Sequence, residues 1–156
     1  MRSMSARNRS VAVLAAACLG LSAVACGGGG GGKTLSKADY LAQAKVVCQK
    51  GNRQLKSASD DVMAKVPPGS KLTDAQITDF VRNTVIPTIR DQVKQLRAIP
   101  PPKGEKAHVQ EIYDELEKGL AALDKDPKKL TDGSNVFAAA DALAQKYGIS
   151  VCSTTG

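Results

Sequence analysis

Two rows of apolar and small residues, each repeating every seven positions, constrain the fold of this chain more than any other pattern in it. The first row consists of Leu41, Cys48, Leu55 and Val62, and the second of Ala44, Gly51 and Ala58. Neighbouring rows with this spacing share one face of an α-helix. Because neither row changes phase at Gly51, we expect one helix that continues through it, with Gly51 allowing another helix to approach closely.

The first helix is predicted to begin after Ser36 and to end near Val66. Ser36 and Asp39 have the spacing of a capping box, and the residue ahead of a proline is disfavoured in the helical region. The polar side of this helix carries the basic residues Lys45, Lys50, Arg53 and Lys56. This basic face is a candidate contact for anionic lipid or a wall polymer. The alternative is an ordinary solvated helix face.

Three more amphipathic segments follow. The second helix is expected to start at Thr73, with Gln76 completing a capping box, and to kink at Pro87, which has no N–H to donate. Its inward residues are Ile77, Phe80, Val81, Thr84, Val85, Ile89, Val93 and Leu96. The third is expected to bury Val109, Ile112, Tyr113, Leu116, Gly119, Leu120 and Leu123, and to pair Asp114 with Lys118 on the outside.

The fourth helix is predicted to be capped by Ser134, to run from Asn135 to Tyr147 and to end at Gly148. Its inward residues are Phe137, Ala140, Leu143, Ala144 and Tyr147. No alternating β pattern interrupts these segments. The sequence therefore predicts an all-α domain over residues 36–152, a four-helix up-down-up-down bundle with a kinked second helix.

The first 25 residues have the pattern of a secretory signal peptide. Arg2, Arg7 and Arg9 precede the uncharged segment from Val11 to Ala25, as in the basic and apolar regions of such signals. This segment is shorter than the roughly 20 residues that a membrane-spanning helix needs. We therefore expect residues 1–25 to direct export and to be removed.

The stretch Leu21-Ser22-Ala23-Val24-Ala25-Cys26 resembles the lipobox of bacterial lipoproteins. This resemblance implies that Cys26 is acylated, for example with palmitate, and holds the mature chain on the extracytoplasmic side of the cell membrane. That family usually has Leu three residues before the cysteine, where this chain has Ala23. Simple secretion with an unmodified Cys26 is the alternative. Residues 26–35, with glycine from Gly27 to Gly32, are expected to form a flexible tether.

The cysteine count indicates one disulfide. Cys18 leaves with the signal peptide and lipid occupies Cys26, so that Cys48 and Cys152 remain as a pair. Exported proteins meet an oxidising environment, which favours a bond between them. We expect the tail after Gly148 to extend toward Cys48, which would leave the first turns of helix one overhanging the bundle.

The composition of the mature chain excludes several classes of function. Removal of 1–25 leaves 19 basic and 15 acidic residues, an ordinary balance with no nucleic-acid motif. His108 is the single histidine, the neighbours Asp60 and Asp61 point to different sides of a helix, and no metal-ligand spacing occurs. We therefore predict no enzymatic activity, no catalytic or metal site and no cofactor.

Three stretches also resemble the small two-cysteine helical lipoproteins of actinobacteria, a group of uncharacterised function: Leu35 to Tyr40, Asn83 to Pro87 and Lys146 to Ile149. The resemblance implies a helical fold and an envelope location, and it transfers no activity. Two functions remain open. The preferred one is an envelope interaction or structural protein that presents a helical surface, with no protein partner indicated; the other is a binding module for a small apolar or anionic ligand.

Overall fold

The computed structural model describes residues 34–152, and every regular element in that range is helical. The elements are α1 (Lys37–Met63), α2 (Asp74–Phe80), a π-helical segment (Val81–Val85), α3 (Ile86–Arg97), α4 (Lys106–Lys125), a 3-10 turn (Pro127–Leu130), α5 (Ala138–Tyr147) and a last 3-10 turn (Ser150–Cys152). Since α2, the π-helical segment and α3 follow one another without a break, residues 34–152 contain four long helical stretches besides the two 3-10 turns. The all-α class is therefore confirmed. The expected signal peptide, Cys26 and the glycines of the tether lie outside the described residues.

Helix α1 begins as the sequence predicted and ends three residues early. The Ser36 hydroxyl oxygen accepts the Asp39 backbone N–H at 3.1 Å and donates to the Asp39 carboxylate at 2.6 Å. The carboxylate thus binds the Ser36 hydroxyl rather than the Ser36 backbone. The helix continues through Gly51, which is buried, and ends at Met63 instead of Val66.

Only the first half of α1 lies in the core. Its buried residues are Tyr40, Ala44, Cys48 and Gly51, and Leu55, Ala58 and Val62 are half-buried. The expectation that the first turns would overhang is wrong. Those turns pack against the end of α5, where the rings of Tyr40 and Tyr147 meet edge to face at 6.0 Å. The C-terminal half of α1 is the part that extends beyond the core.

The interruption expected at Pro87 takes the form of a widened turn. Thr73 and Gln76 form the predicted capping box. The helix then becomes π-helical over Val81–Val85, and the Ile86 N–H donates to the Val81 carbonyl five residues back. Pro87, which follows directly, could not have donated an α-helical hydrogen bond to Asn83. All eight residues predicted to face inward on this stretch are buried or half-buried.

Helix α4 has the apolar face that the sequence predicted, because all seven of its expected inward residues are buried. The predicted ion pair between Asp114 and Lys118 is wrong. The Lys118 ammonium binds Glu115 at 2.6 Å, and Asp114 accepts a hydrogen bond from the Gln110 amide at 2.7 Å. In both of these pairs, the partners are three or four residues apart and are therefore neighbours on the exposed helix surface.

Helix α5 is shorter than predicted, since it begins at Ala138 instead of Asn135. The Asp132 carboxylate accepts the Ser134 N–H at 2.7 Å, and the Asn135 side-chain oxygen accepts the Phe137 N–H at 3.1 Å. Such local hydrogen bonds hold the backbone in turns and compete with helix formation. Ser134 is therefore not the cap.

Gly148 ends α5 in the left-handed conformation, with φ of 106°, as predicted. The tail after it is not extended as expected but forms the 3-10 turn Ser150–Cys152. It leads from Tyr147, beside the first turns of α1, to Cys152, beside Cys48. The disulfide predicted from the cysteine count therefore forms, but the tail that leads to Cys152 has a different conformation from the one expected.

Candidate functional site

Cys48 and Cys152 form a disulfide that joins α1 to the C-terminal 3-10 turn, with their Cα atoms 5.0 Å apart. Next to it, the Asn52 side-chain amide donates to the Val151 carbonyl at 2.9 Å. The pairing predicted for these two cysteines is therefore present. Cys26, the predicted lipidation site, lies outside the described residues.

A groove of about 840 Å³ opens where α1 extends beyond the core. One wall comes from α1. The second comes from residues 74–97, which are α2, the π-helical segment and α3 and are called the bent helix below. The third comes from the chain between α4 and α5. The lining residues are Asn52, Leu55, Lys56, Ser59, Phe80, Val85, Ile89, Lys129, Leu130, Ser134, Asn135, Val136 and Phe137.

The second wall of the groove is apolar, since it consists of Phe80 at the end of α2, Val85 in the π-helical segment and Ile89 in α3. Val85 and Ile89 are buried, while Phe80 is half-buried. Leu55 of α1 also lines the groove and is half-buried. Interruptions of this kind in α-helices occur frequently at functional sites.

The third wall is held in place by two close contacts. An ion pair between Lys128 and Asp74 connects the 3-10 turn Pro127–Leu130 to the first turn of α2. At Gly119 of α4, a Cβ atom would lie 2.5 Å from the Phe137 ring and 2.8 Å from the Val136 carbonyl. Gly119 therefore lets this segment lie directly on α4. The wall then presents Leu130, which is 39% exposed.

Positive charge and polar side chains line the rim. Lys56 forms an exposed ion pair with Asp60 at 2.7 Å. Near Lys129, the pKa of Asp132 is lowered by hydrogen bonds from the hydroxyl and backbone N–H of Ser134, with a smaller effect from the Lys129 charge. Among the described residues that line the groove there is no His, Cys, Asp or Glu.

A small cavity of about 30 Å³ lies beside the disulfide. It shares Asn52, Leu55 and Ile89 with the groove, and Cys48 and Cys152 border it. Its volume corresponds to about one or two water molecules. The cavity thus adjoins the groove on the side of the disulfide.

The other residues considered from the sequence are on the surface. His108 is exposed and lies 3.0 Å from the Glu105 carboxylate, and the basic face of α1 (Lys45, Lys50, Arg53 and Lys56) is exposed along its length. Within residues 34–152, no cluster of His, Cys, Asp and Glu could hold a metal ion. No helix in that range is long and apolar enough to cross a membrane.

The sequence pattern predicts that Leu55, Phe80, Val85, Ile89 and Phe137 are core residues, and it does not indicate the groove that they line. The pattern assigns no role to Leu130 or Val136, which also line the groove. The available signal was Leu130 itself, which apart from Pro127 is the single apolar residue between Asp124 and Gly133. An apolar side chain in so polar a loop indicates a contact that the helical pattern does not account for.

Comparison of the chain with protein-family models, with curated proteins and with solved structures gave no match. Function is therefore inferred from the chain's own groove, its charge distribution and its N-terminal sequence pattern. The groove is the structural feature with the clearest chemical character.

Proposed function

We propose that this chain is an extracytoplasmic lipoprotein of the small two-cysteine type, anchored by lipid on Cys26, whose non-enzymatic helical domain binds a small ligand. The observation that carries this proposal is the groove beside α1. Its volume of about 840 Å³ lies within the range of roughly 300–1,000 Å³ found for small-molecule sites. Such sites have apolar walls and a few polar groups, as this groove does.

The chemistry of the lining supports binding rather than catalysis. Ser59 and Ser134 are the hydroxyl groups in the described lining, and a serine nucleophile needs an adjacent base. Hydrogen bonds from Ser134 lower the pKa of the neighbouring Asp132, which makes its carboxylate a weak base. The groove therefore offers surface and charge but no activated group.

The proposed arrangement of the helices is up-down-up-down. Arg82, early in the bent helix, approaches the carbonyl of Asp124 at the end of α4, and Arg97, late in it, lies 3.8 Å from Glu117. The rings of Tyr40 and Tyr147 bring the start of α1 to the end of α5. These contacts support antiparallel neighbours, as short connections in bundles require.

The exposed basic face of α1 favours a second function, which is contact with the envelope. Lys45, Lys50 and Arg53 make no salt bridge within the described residues. Each basic residue near an anionic membrane surface contributes about 1 kcal/mol. This face would hold the domain to anionic lipid or a wall polymer while the groove remains open.

Mass spectrometry of the protein purified from its own cell membranes tests the binding function. We expect an organic extract to contain one ligand in stoichiometric amount. Leu130→Asp should abolish its recovery, because a carboxylate would lie in the apolar wall. The matched control is Val46→Asp, at an apolar residue that is 65% exposed outside the groove. Equal extracts without ligand from the native protein and both variants would contradict the proposal.

A further inference from the structure

We infer that the groove takes one single-chain amphiphile with an anionic head group, in the chemical class of a long-chain carboxylate or a monoalkyl phosphate. The inference rests on the proposed binding function and assigns the class of ligand. The apolar chain lies against Val85, Ile89 and Phe137, and the anion lies at Lys129.

The apolar part of the groove matches a narrow, flexible chain. Phe80 and Phe137 are the aromatic residues of the described lining, and Leu55, Val85, Ile89, Leu130 and Val136 are aliphatic. Beyond Leu55 and Ile89, the groove adjoins the cavity of about 30 Å³ beside the disulfide. A chain end enters such a narrow space, whereas a fused ring system does not. The shape therefore selects an alkyl chain.

The charge of the rim selects an anion. Lys56 and Lys129 belong to the lining, and the described lining has no carboxylate. Lys128, the neighbour of Lys129, is paired with Asp74, and Lys56 is paired with Asp60. Lys129 forms no salt bridge in the part of the chain that the structure describes. It is therefore available to a head group, and Asn135, which also lines the groove, offers amide N–H groups as further donors.

The position of the groove favours a monomeric amphiphile over a bilayer surface. Leu55 lies 18 residues after Lys37, which corresponds to about 27 Å along α1. The groove is thus far from the end of α1 at which the chain from Cys26 enters. A bilayer contact would instead use Lys45, Lys50 and Arg53 of the basic face, none of which lines the groove.

Calorimetric titration of the full-length chain carrying Cys26→Ala, in the absence of detergent, tests the inference. The ligands are alkyl phosphates of increasing chain length, kept below their micelle concentrations, with the corresponding alcohols and trimethylammonium compounds. We expect the phosphate affinity to rise about fourfold per added methylene until the groove is filled. At equal chain length the phosphate should bind most tightly and the ammonium compound least.

Two pairs of variants assign the contacts. Lys129→Gln should weaken phosphate binding about fivefold and leave the alcohol unchanged. Lys125→Gln, at an exposed lysine that does not line the groove, should change neither. Leu130→Gln should weaken phosphate and alcohol alike. Val46→Gln, at an exposed apolar residue outside the groove, should have no effect.

Each contrary result has a distinct meaning. Equal affinity for phosphate, alcohol and ammonium compounds would overturn the anionic class and leave the binding groove intact. Binding to phosphatidylglycerol vesicles alone, lost in Lys45→Gln/Lys50→Gln, would overturn the monomeric ligand. Failure of every amphiphile to bind would overturn the inference entirely, while a different ligand recovered from native membranes would still support the binding function.

Discussion

The hydroxyl groups of Tyr40 and Tyr113 lie 2.9 Å apart in the core and connect α1 to α4. Tyr40 has no exposed surface and Tyr113 is 4% exposed. The Tyr147 ring of α5 packs against Tyr40, and the Lys37 ammonium lies 4.3 Å from the centre of the Tyr147 ring. All three tyrosines of this chain therefore meet at one end of the core, where they join three helices.

Hydroxyl removal should affect these tyrosines differently. In Tyr113→Phe, the buried Tyr40 hydroxyl loses its partner, so the free energy of unfolding should fall by about 1–2 kcal/mol. The Tyr147 hydroxyl is buried without a hydrogen-bond partner in the described structure. Tyr147→Phe should therefore leave the stability unchanged or raise it by up to about 1 kcal/mol. Urea unfolding measures both, and an equal loss in the two variants would contradict this assignment.

The same cluster should make the fold sensitive to alkaline pH. Burial raises the pKa of Tyr147 to about 12 and raises the pKa values of Tyr40 and Tyr113 above their ordinary 10.0. The folded protein thus holds the phenolic protons more tightly than the unfolded chain. This contribution to stability is complete below pH 10 and is lost as the pH rises toward about 12.

Urea unfolding at several pH values, with tyrosinate absorbance measured in parallel, tests this dependence. Tyr147→Phe is the matched variant, because it removes one titrating group and keeps the ring. Its stability should decline less steeply than that of the native chain above pH 10. Identical curves for the two proteins would show that Tyr147 does not contribute.

The sequence was sufficient for the fold class, the disulfide and most of the core, and the groove shows where it failed. Every predicted inward residue of α4 is buried because other helices cover α4 along its length. Leu55 has the same periodicity as Cys48, yet it lines a groove. Periodicity identifies the apolar face of a helix, but burial also depends on whether another element reaches it.

The late start of α5 accounts for the groove beside Leu55 of α1. Turn-forming contacts of Asp132 and Asn135 delay the start of α5 to Ala138. The chain ahead of it remains a loop and becomes a groove wall. The π-helical segment before Pro87 could not be predicted from the sequence either. The sequence shows that Pro87 cannot donate a hydrogen bond to Asn83, but it does not show how the backbone adapts.

Gly51 and Gln92 should be energetically coupled. The Gln92 side chain packs directly on Gly51, so that a Cβ at this position would overlap it, and its amide donates to the Cys48 carbonyl at 3.3 Å. Gly51→Ala favours the helix by about 1 kcal/mol but displaces Gln92. We expect little net change in the native chain and a gain of about 1 kcal/mol in a Gln92→Ala background. Additive effects in this double-mutant cycle, measured by urea unfolding, would refute the coupling.

The disulfide should provide a large part of the stability. It connects residues 104 positions apart, and closing so long a loop restricts the unfolded chain, with a typical effect of about 2–4 kcal/mol. Cys48→Ala/Cys152→Ala should lower the free energy of unfolding by that amount. Thiol titration of the unfolded, unreduced native protein should detect no free thiol from this pair. Two reactive thiols would disprove the bond.

Lipidation of Cys26 is the prediction on which the proposed location depends. Several acyl chains on one cysteine hold a protein firmly at a membrane, whereas one chain anchors it only marginally. The intact mass of the membrane-extracted protein should therefore exceed that of the bare chain from Cys26 to Gly156 by the mass of its acyl groups. Cys26→Ala should move the protein from the membrane fraction to the soluble fraction. Cys18→Ala is the matched control and should leave the mature protein unchanged, because Cys18 lies in the segment expected to be removed. A native protein found in the culture medium with the mass of the bare chain would instead establish simple secretion.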